Sequence, residues 1–304
     1  MTQRLQNLVV GTSLSAESDP VVRAALTLAG ASGAAVHLVH GFPLPVVYGG
    51  GIYGGAAIHS QLQHDEDRYQ ELLGVQLRRL GTGPEALAST TVEMEGPDRL
   101  IARVADEKNA DLIVVGASEG PAALGPILGS TADRLLRRTH RPVLVVRGDV
   151  DPPRRVLAPV DLSKLSEQGV ARALDLVADM GPDPKLDLTL LFVLSRIDRE
   201  GSAHFEPAQV DRFALEELQS FAGRLDHPEQ RTHCALRNGQ PRQEILDYAA
   251  EHPADLVVLG THGRSGLERF LLGSVAAGVL RHLPVSALVI PPAEADSEDD
   301  AEDA

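Results

Sequence analysis

Short apolar runs bounded by polar residues recur along the chain, and longer amphipathic stretches separate them. In the first half the runs are Leu8–Val10, Ala35–Val39, Leu112–Val115 and Val143–Val146. In the second they are Val156–Ala158, Leu186–Val193, Leu256–Leu259 and Ala287–Ile290. Ser89–Met94 and Thr232–Leu236 read as a further short strand in each half. The intervening helical patterns include Ala24–Ala29, Leu62–Leu80, Leu100–Glu107, Leu174–Asp179, Val210–Leu225 and Gln243–Glu251. Runs of four or five apolar residues suit strands buried on both faces. Strands alternating with helices predict parallel pairing through right-handed crossovers, an α/β doubly wound sheet. Ligands on such sheets bind beyond the strand C-termini, where the strand order reverses.

The pattern is written twice. Asp111-Leu-Ile-Val-Val-Gly116 recurs 144 positions on as Asp255-Leu-Val-Val-Leu-Gly260. The same offset pairs Ile127-Leu-Gly-Ser130 with Leu271-Leu-Gly-Ser274, Val143–Val146 with Ala287–Ile290, and Pro97 with Pro241. Near the start of each half, Leu8–Ser15 matches Val156–Ser163 at an offset of 148. Two divergent copies of one domain are expected, over 1–148 and 154–292, joined at the polar, proline-containing Gly148–Pro153. Residues 293–304 follow Pro291-Pro292 and read as a disordered acidic tail.

Composition narrows the function classes. The formal net charge of the 304 residues is −15, and seven of those charges lie in the tail. An acidic body with no basic run disfavours nucleic acid as a partner. Trp is absent and aromatics are 3%, so the core is expected to be aliphatic. Cys234 is the single cysteine, which excludes an intramolecular disulfide. No apolar run reaches the roughly 20 residues of a membrane span. A cytoplasmic protein without a membrane partner is expected.

The candidate chemistry lies after Leu256–Leu259. Gly260-Thr-His-Gly263 is followed by Gly273-Ser274 at the opening of a helical run. Glycine admits close approach of a ligand to the backbone. Amides at a helix start lack internal partners and carry positive partial charge. Gly273 and Ser274 therefore suit an anion, although Ser274 at a helix start also fits a plain N-cap.

The full spacing, Gly-x2-Gly-x9-Gly-Ser at Gly260, Gly263, Gly273 and Ser274, resembles the ATP-binding signature of the universal stress protein family. The text from Gly260 to Ala276 and the opening Val156–Asp161 are similar to that family as well. The resemblance implies two tandem Rossmann-like domains of the adenine nucleotide alpha hydrolase-like type. It further implies an ATP-binding stress-response or regulatory protein using ATP with Mg or Mn, with hydrolysis weak at most and no catalytic residue assigned. On matching positions Pro159, Asp161 and Val193 would hold adenosine, Val193 through its backbone. Gly260, Gly263, Gly273, Ser274 and Val275 would line ribose and phosphates. His262 would face the phosphates or their divalent ion, or else be a solvent-exposed loop histidine. Arg264 would pair with a phosphate or lie on the surface. Asp161 doubles as a turn residue, given Ser163 two positions on. The halves would pair with each other as the family's dimers do, and two chains would form a homodimer.

The first half departs from the pattern. Gly116-Ala-Ser-Glu119 stands for Gly260-Thr-His-Gly263, so a carboxylate replaces the inner glycine, and Ser13 stands for Asp161. One working ATP site per chain, in the second half, is the expectation. The Gly/Pro-rich segment 41–55, with Tyr48 and Tyr53, reads as a connection or a partner loop. His37 and His40 read as structural, and the five-residue spacing of His59 and His64 is off the i, i+4 face that favours chelation. Two other readings remain: a slow ATPase or nucleotidyl-transfer enzyme on the same fold, and an interaction module with vestigial nucleotide binding. The motifs His-Ile-Gly-His, Lys-Met-Ser-Lys-Ser and Ser-Gly-Gly-x-Asp-Ser, which would support the enzyme, are all absent.

Overall fold

The computed structural model describes residues 5–42, 68–117, 128–148, 152–181, 186–202, 204–225, 231–261 and 272–292. In the first half the strands are β1 (Asn7–Gly11), β2 (Ala35–Gly41), β3 (Ser89–Glu93), β4 (Leu112–Gly116) and β5 (Val143–Val146). Helices α1 (Asp19–Ser32), α2 (68–79), α3 (Pro97–Glu107) and α4 (Ser130–Leu136) connect them. The second half repeats the order with β6 (Arg155–Val160), β7 (Asp187–Leu194), β8 (Arg231–Asn238), β9 (Leu256–Gly260) and β10 (Ser286–Ile290). Its helices are α5 (Lys164–Asp179), α6 (Arg196–Gly201), α7 (Pro207–Arg224), α8 (Pro241–Glu251) and α9 (Ser274–His282). The short α6 is absent from the sequence-based reading, because six residues with a lone apolar Ile197 carry no periodic signal.

All ten strands form one sheet in the order β3-β2-β1-β4-β5-β10-β9-β6-β7-β8. Within each half every pair is parallel, as the strand-helix alternation predicts. The chain reverses its winding between β1 and β4, and again between β6 and β9, which fixes a switch point in each half. Among the described residues only the junction is antiparallel: Val143, Leu144 and Val145 pair with Val289, Leu288 and Ala287. Leu144 faces Leu288, its own equivalent in the repeat, so a local two-fold axis passes between them. Such a contact is isologous, the geometry of a symmetric dimer built into one chain.

Both sheet faces are covered by helices, and the apolar runs divide between two cores. Leu8, Val10, Leu112, Leu144, Ala158 and Leu288 pack beneath α1, α2, α5 and α7. Val9, Ile113, Val145, Leu157, Val257 and Val289 pack beneath α3, α4, α8 and α9. Each core crosses the junction, so the halves share one continuous interior on either face.

The recurring Asp at the head of β4 and β9 has a structural role. Asp111 Oδ2 accepts from the N–H groups of Gln6 and Asn7 at 2.8 and 2.9 Å. Asp255 Oδ2 accepts from Arg154 and Arg155 at 3.1 and 2.9 Å. In each half this carboxylate ties the first strand to the fourth and fixes their register at the switch point.

Candidate functional site

At the second switch point the sheet opens. β6 and β9 pair only at Val156↔Leu256 and Leu157↔Val257, whereas β6 and β7 stay paired to Val160↔Phe192. Successive residues of a parallel strand turn their N–H and C=O groups to opposite neighbours. The Arg155 carbonyl accepts from Asp255 N–H at 2.8 Å, so residues 155, 157 and 159 face β9. Pro159 has no N–H to offer, and a proline is tolerated only where the ladder lacks its donor. The gap between β6 and β9 thus begins at the residue that cannot bridge it.

The same alternation orients Val193. Leu194 O accepts from Gly239 N–H at 3.1 Å on the β8 side. Val193 therefore turns its backbone groups toward β6, just past the last β6–β7 pair. Its side chain is buried while its main chain borders the crevice.

Asp161, immediately after β6, closes a tight turn. Its Oδ1 accepts from Ser163 N–H at 3.0 Å and from Ser163 Oγ–H at 2.6 Å. Ser163 Oγ in turn accepts from Ser166 N–H at 3.1 Å and caps α5. The turn reading is thereby realised, and it holds the carboxylate at the mouth of the crevice. Leu162 between them has φ 64°, and its equivalent Leu14 has φ 61°. A left-handed non-glycine residue costs about 1–2 kcal/mol, and both halves store that strain in the loop after their first strand.

The helix start lies opposite, beyond β9. Gly273 N–H donates to Thr261 O at 2.8 Å, and a Cβ on Gly273 would lie 3.2 Å from that oxygen. A glycine there lets the two segments approach without that tight contact. Gly273, not Ser274, is the N-cap residue, and Ser274 is the first helical residue. The N-cap expectation for Ser274 is corrected by one position: the cap is the residue whose N–H bonds Thr261 O, and a side chain there would crowd that oxygen. Ser274 and Val275 are exposed, as is Gly260. The first-turn amides of α9, which lack intrahelical partners, therefore lie on the same end of the sheet as Pro159, Asp161 and Val193, at a helix start that is exposed among the described residues. His262, Gly263 and Arg264 lie outside the described residues, as do Glu119, Tyr48, Tyr53, His59, His64 and the tail 293–304. Among the described residues no three His, Cys, Asp or Glu side chains converge to hold a metal, and no helix is long and apolar enough to cross a membrane.

The first switch point is built differently. At Pro159's position stands Gly11, and a Cβ there would lie 2.6 Å from Ile101 Cδ1. At Val193's register stands Gly41, where a Cβ would lie 2.8 Å from Glu95 O and 2.9 Å from Pro97 Cα. The turn between β3 and α3 closes directly over the end of β2. Ser13, in place of Asp161, shares a 2.8 Å hydrogen bond with Ser15. His37 contacts Ser89 and Asn7 at 2.7 and 3.3 Å, the structural role expected of it. His40 Nδ1 lies 2.9 Å from Thr12 O, and its ring packs on Phe42 and Tyr69.

Sequence reasoning missed the buried polar cluster beneath this loop. Gln76 of α2 is fully buried. Its Oε1 accepts from Thr12 Oγ1–H at 2.8 Å, and its Nε2 donates to Ser18 Oγ at 3.0 Å and Asp19 Oδ1 at 2.9 Å. Thr12 Oγ1 also accepts from Leu14 N–H at 3.0 Å. In the second half Phe221 and Val160 replace Gln76 and Thr12, both buried and apolar. The outer ion pair is common to both halves, as Asp19–Arg79 and Glu167–Arg224. The signal available was a glutamine inside the Leu73–Leu77 apolar stripe.

The Arg79 hydrogen bond holds the Asp19 carboxyl below the usual range. A carboxyl depressed by folding contributes stability above its unfolded pKa and loses it as pH falls through the folded value. The urea midpoint should therefore fall as pH drops below about 4, the ordinary carboxyl pKa, toward the lower folded value. Asp19→Asn should flatten part of that fall; superimposable pH profiles for the two proteins would contradict the assignment.

Two parallel half-sheets, each opening at a topological switch point, define a tandem α/β protein of the doubly wound class. The chain belongs to the universal stress protein family, which matches residues 4–147 and again 153–291. It is 31% identical over 295 residues to a universal stress protein from Mycolicibacterium smegmatis, covering 94% of this chain and 97% of that one. The fold resembles a universal stress protein structure from Archaeoglobus fulgidus with TM-score 0.61 at 20% identity, covering 95% of this chain and 97% of the other. A functionally unknown protein from Pseudomonas aeruginosa matches with TM-score 0.63 at 20% identity, covering 96% and 94%.

Proposed function

We propose that the second half binds one ATP per chain and that the protein acts as a nucleotide-binding regulatory module in stress response. The reading rests chiefly on the exposed start of α9, held beside Thr261 by the Gly273 N–H bond at the same end of the sheet as the gap opened at Pro159. A helix start with unpaired amides suits phosphate, and the neighbouring gap, bordered by the Val193 main chain and Asp161, suits a nucleoside. Gly260, Gly263, Gly273, Ser274 and Val275 would line the ribose and phosphates, with His262 facing the phosphates or a Mg or Mn ion carried by them. In the first half Gly11, Gly41 and Ser13 meet or replace the corresponding features, which supports a single site.

Denaturing the purified protein after incubation with ATP and magnesium, then chromatographing the released molecules, should return one adenine nucleotide per chain. Recovery of none overturns the binding, and recovery of two overturns the one-site reading. Turnover assays with magnesium and with manganese should give no multiple-turnover hydrolysis. Sustained turnover would favour the slow enzyme instead.

A further inference from the structure

The two halves meet asymmetrically at the end of α9 remote from Ser274. Leu280 lies in the last turn of α9, whose carbonyls lack intrahelical partners, and only the backbone N–H of the residue four positions on could extend the ladder to it. That residue is Pro284, which has no N–H. Arg147, from the first half, supplies the missing donor: its guanidinium reaches Leu280 O at 3.0 Å. Arg147 is itself pinned, its N–H donating to Ser286 Oγ at 3.0 Å and its carbonyl accepting from the same hydroxyl at 3.4 Å. The arginine is half-buried, so its bond to the helix is shielded from competing water. A cation at a helix C-terminus also complements the helix dipole.

None of this recurs on the other side of the two-fold axis. At the 144-residue offset, Arg147 corresponds to Pro291, Pro284 to His140 and Ser286 to Pro142. The first half donates the arginine, the second half carries the orphan carbonyl, and the reciprocal contact lacks its donor side chain. The other end of the same nine-residue helix bears Gly273, Ser274 and Val275.

We propose that Arg147 is a positioning residue for the second half's nucleotide site, through which the first half braces α9 against the load placed on its N-terminus by phosphate. The proposal rests on the ATP-binding reading above. It assigns the first half a role that needs no ligand of its own. Because coupling is reciprocal, nucleotide bound at Ser274 should also tighten the junction between the halves.

The test uses the full chain, titrated with magnesium-ATP and separately with adenosine, which has no phosphate to meet α9. Arg147→Met, which removes the donors and the charge but keeps the length, should weaken ATP about tenfold and leave adenosine affinity unchanged. Arg147→Lys, with one cationic donor, should recover part of the loss. Arg281→Met removes a nearby exposed bridge to Asp133, 3.7 Å long, and should leave ATP affinity intact. Unchanged ATP affinity in Arg147→Met, or equal losses for ATP and adenosine, would overturn the proposal. Hydrogen exchange without nucleotide separates it from the binding reading: α9 amides should exchange faster in Arg147→Met than in the parent protein. If the parent chain binds no ATP, the binding reading fails, and with it the role assigned to Arg147 at that site. Faster exchange would then support the bond to α9 alone, and unchanged exchange would overturn the brace altogether.

Discussion

Gly263→Glu is expected to abolish ATP binding at the second half while leaving the fold intact. The substitution writes Glu119 of the first half into the corresponding position of the second. Two costs combine. On the proposed site, a side chain at an inner glycine that turns through left-handed backbone would cost about 1–2 kcal/mol, and a carboxylate about 5 Å from the bound phosphate would add roughly 3 kcal/mol at an effective dielectric of about 20. Together they correspond to more than a hundredfold loss, at about 1.4 kcal/mol per factor of ten. Calorimetric titration with magnesium-ATP measures it, and circular dichroism confirms the fold. Retained affinity would show that the inner glycine is not what separates the two halves. Gly263→Ala divides the costs, because it adds a methyl group without the charge and should lose only the smaller part.

The second large effect concerns stability. Gln76→Leu removes the centre of the buried cluster and takes one partner each from the Thr12 hydroxyl, the Ser18 hydroxyl and the Asp19 carboxylate, which keep their bonds to one another and to Leu14, Ser15 and Arg79. Each hydrogen bond lost contributes about 0.5–1.5 kcal/mol net, more for the one to a carboxylate, so the three together give an expected loss of about 3 kcal/mol. Replacing both sides of such an interaction with apolar groups is far less costly. The second half already contains that solution in Phe221 and Val160. Gln76→Phe combined with Thr12→Val should therefore be more stable than Gln76→Leu alone. Urea unfolding of the three proteins decides the matter: a loss below about 1 kcal/mol in the single variant, or a double variant no better than the single, would refute the account.

These cases also mark where the sequence was legible. Runs such as Leu112–Val115 and Leu256–Leu259 announce buried parallel strands, because four or five β-branched and aliphatic residues between turn signals are too short for a buried helix. Repetition of those runs announced two halves. The turn at Asp161 was visible in the Ser163 that follows it. Hidden features all depended on partners distant in the chain. Gln76 looks like a polar interruption of a helix until Thr12, 64 residues earlier, is brought beside it. Arg147 looks like the end of a strand until Leu280 arrives from 133 residues away. Periodicity likewise identifies Val143–Val146 as a strand but gives no direction for its neighbour, so the antiparallel junction with β10 emerged only from the fold.

That junction has a consequence for how the protein can change. In a dimer of identical chains, each substitution appears on both sides of the axis, and a pairing that helps one side must be tolerated on the other. Joining the halves through Leu144 and Leu288 in a single chain removes the constraint. One side can then carry an arginine where the other carries a proline. The antiparallel pairing also points the C-terminal ends of the two half-sheets in opposite directions. The two crevices therefore look out from opposite rims of the molecule, and each rim can be altered by mutation without obstructing the other.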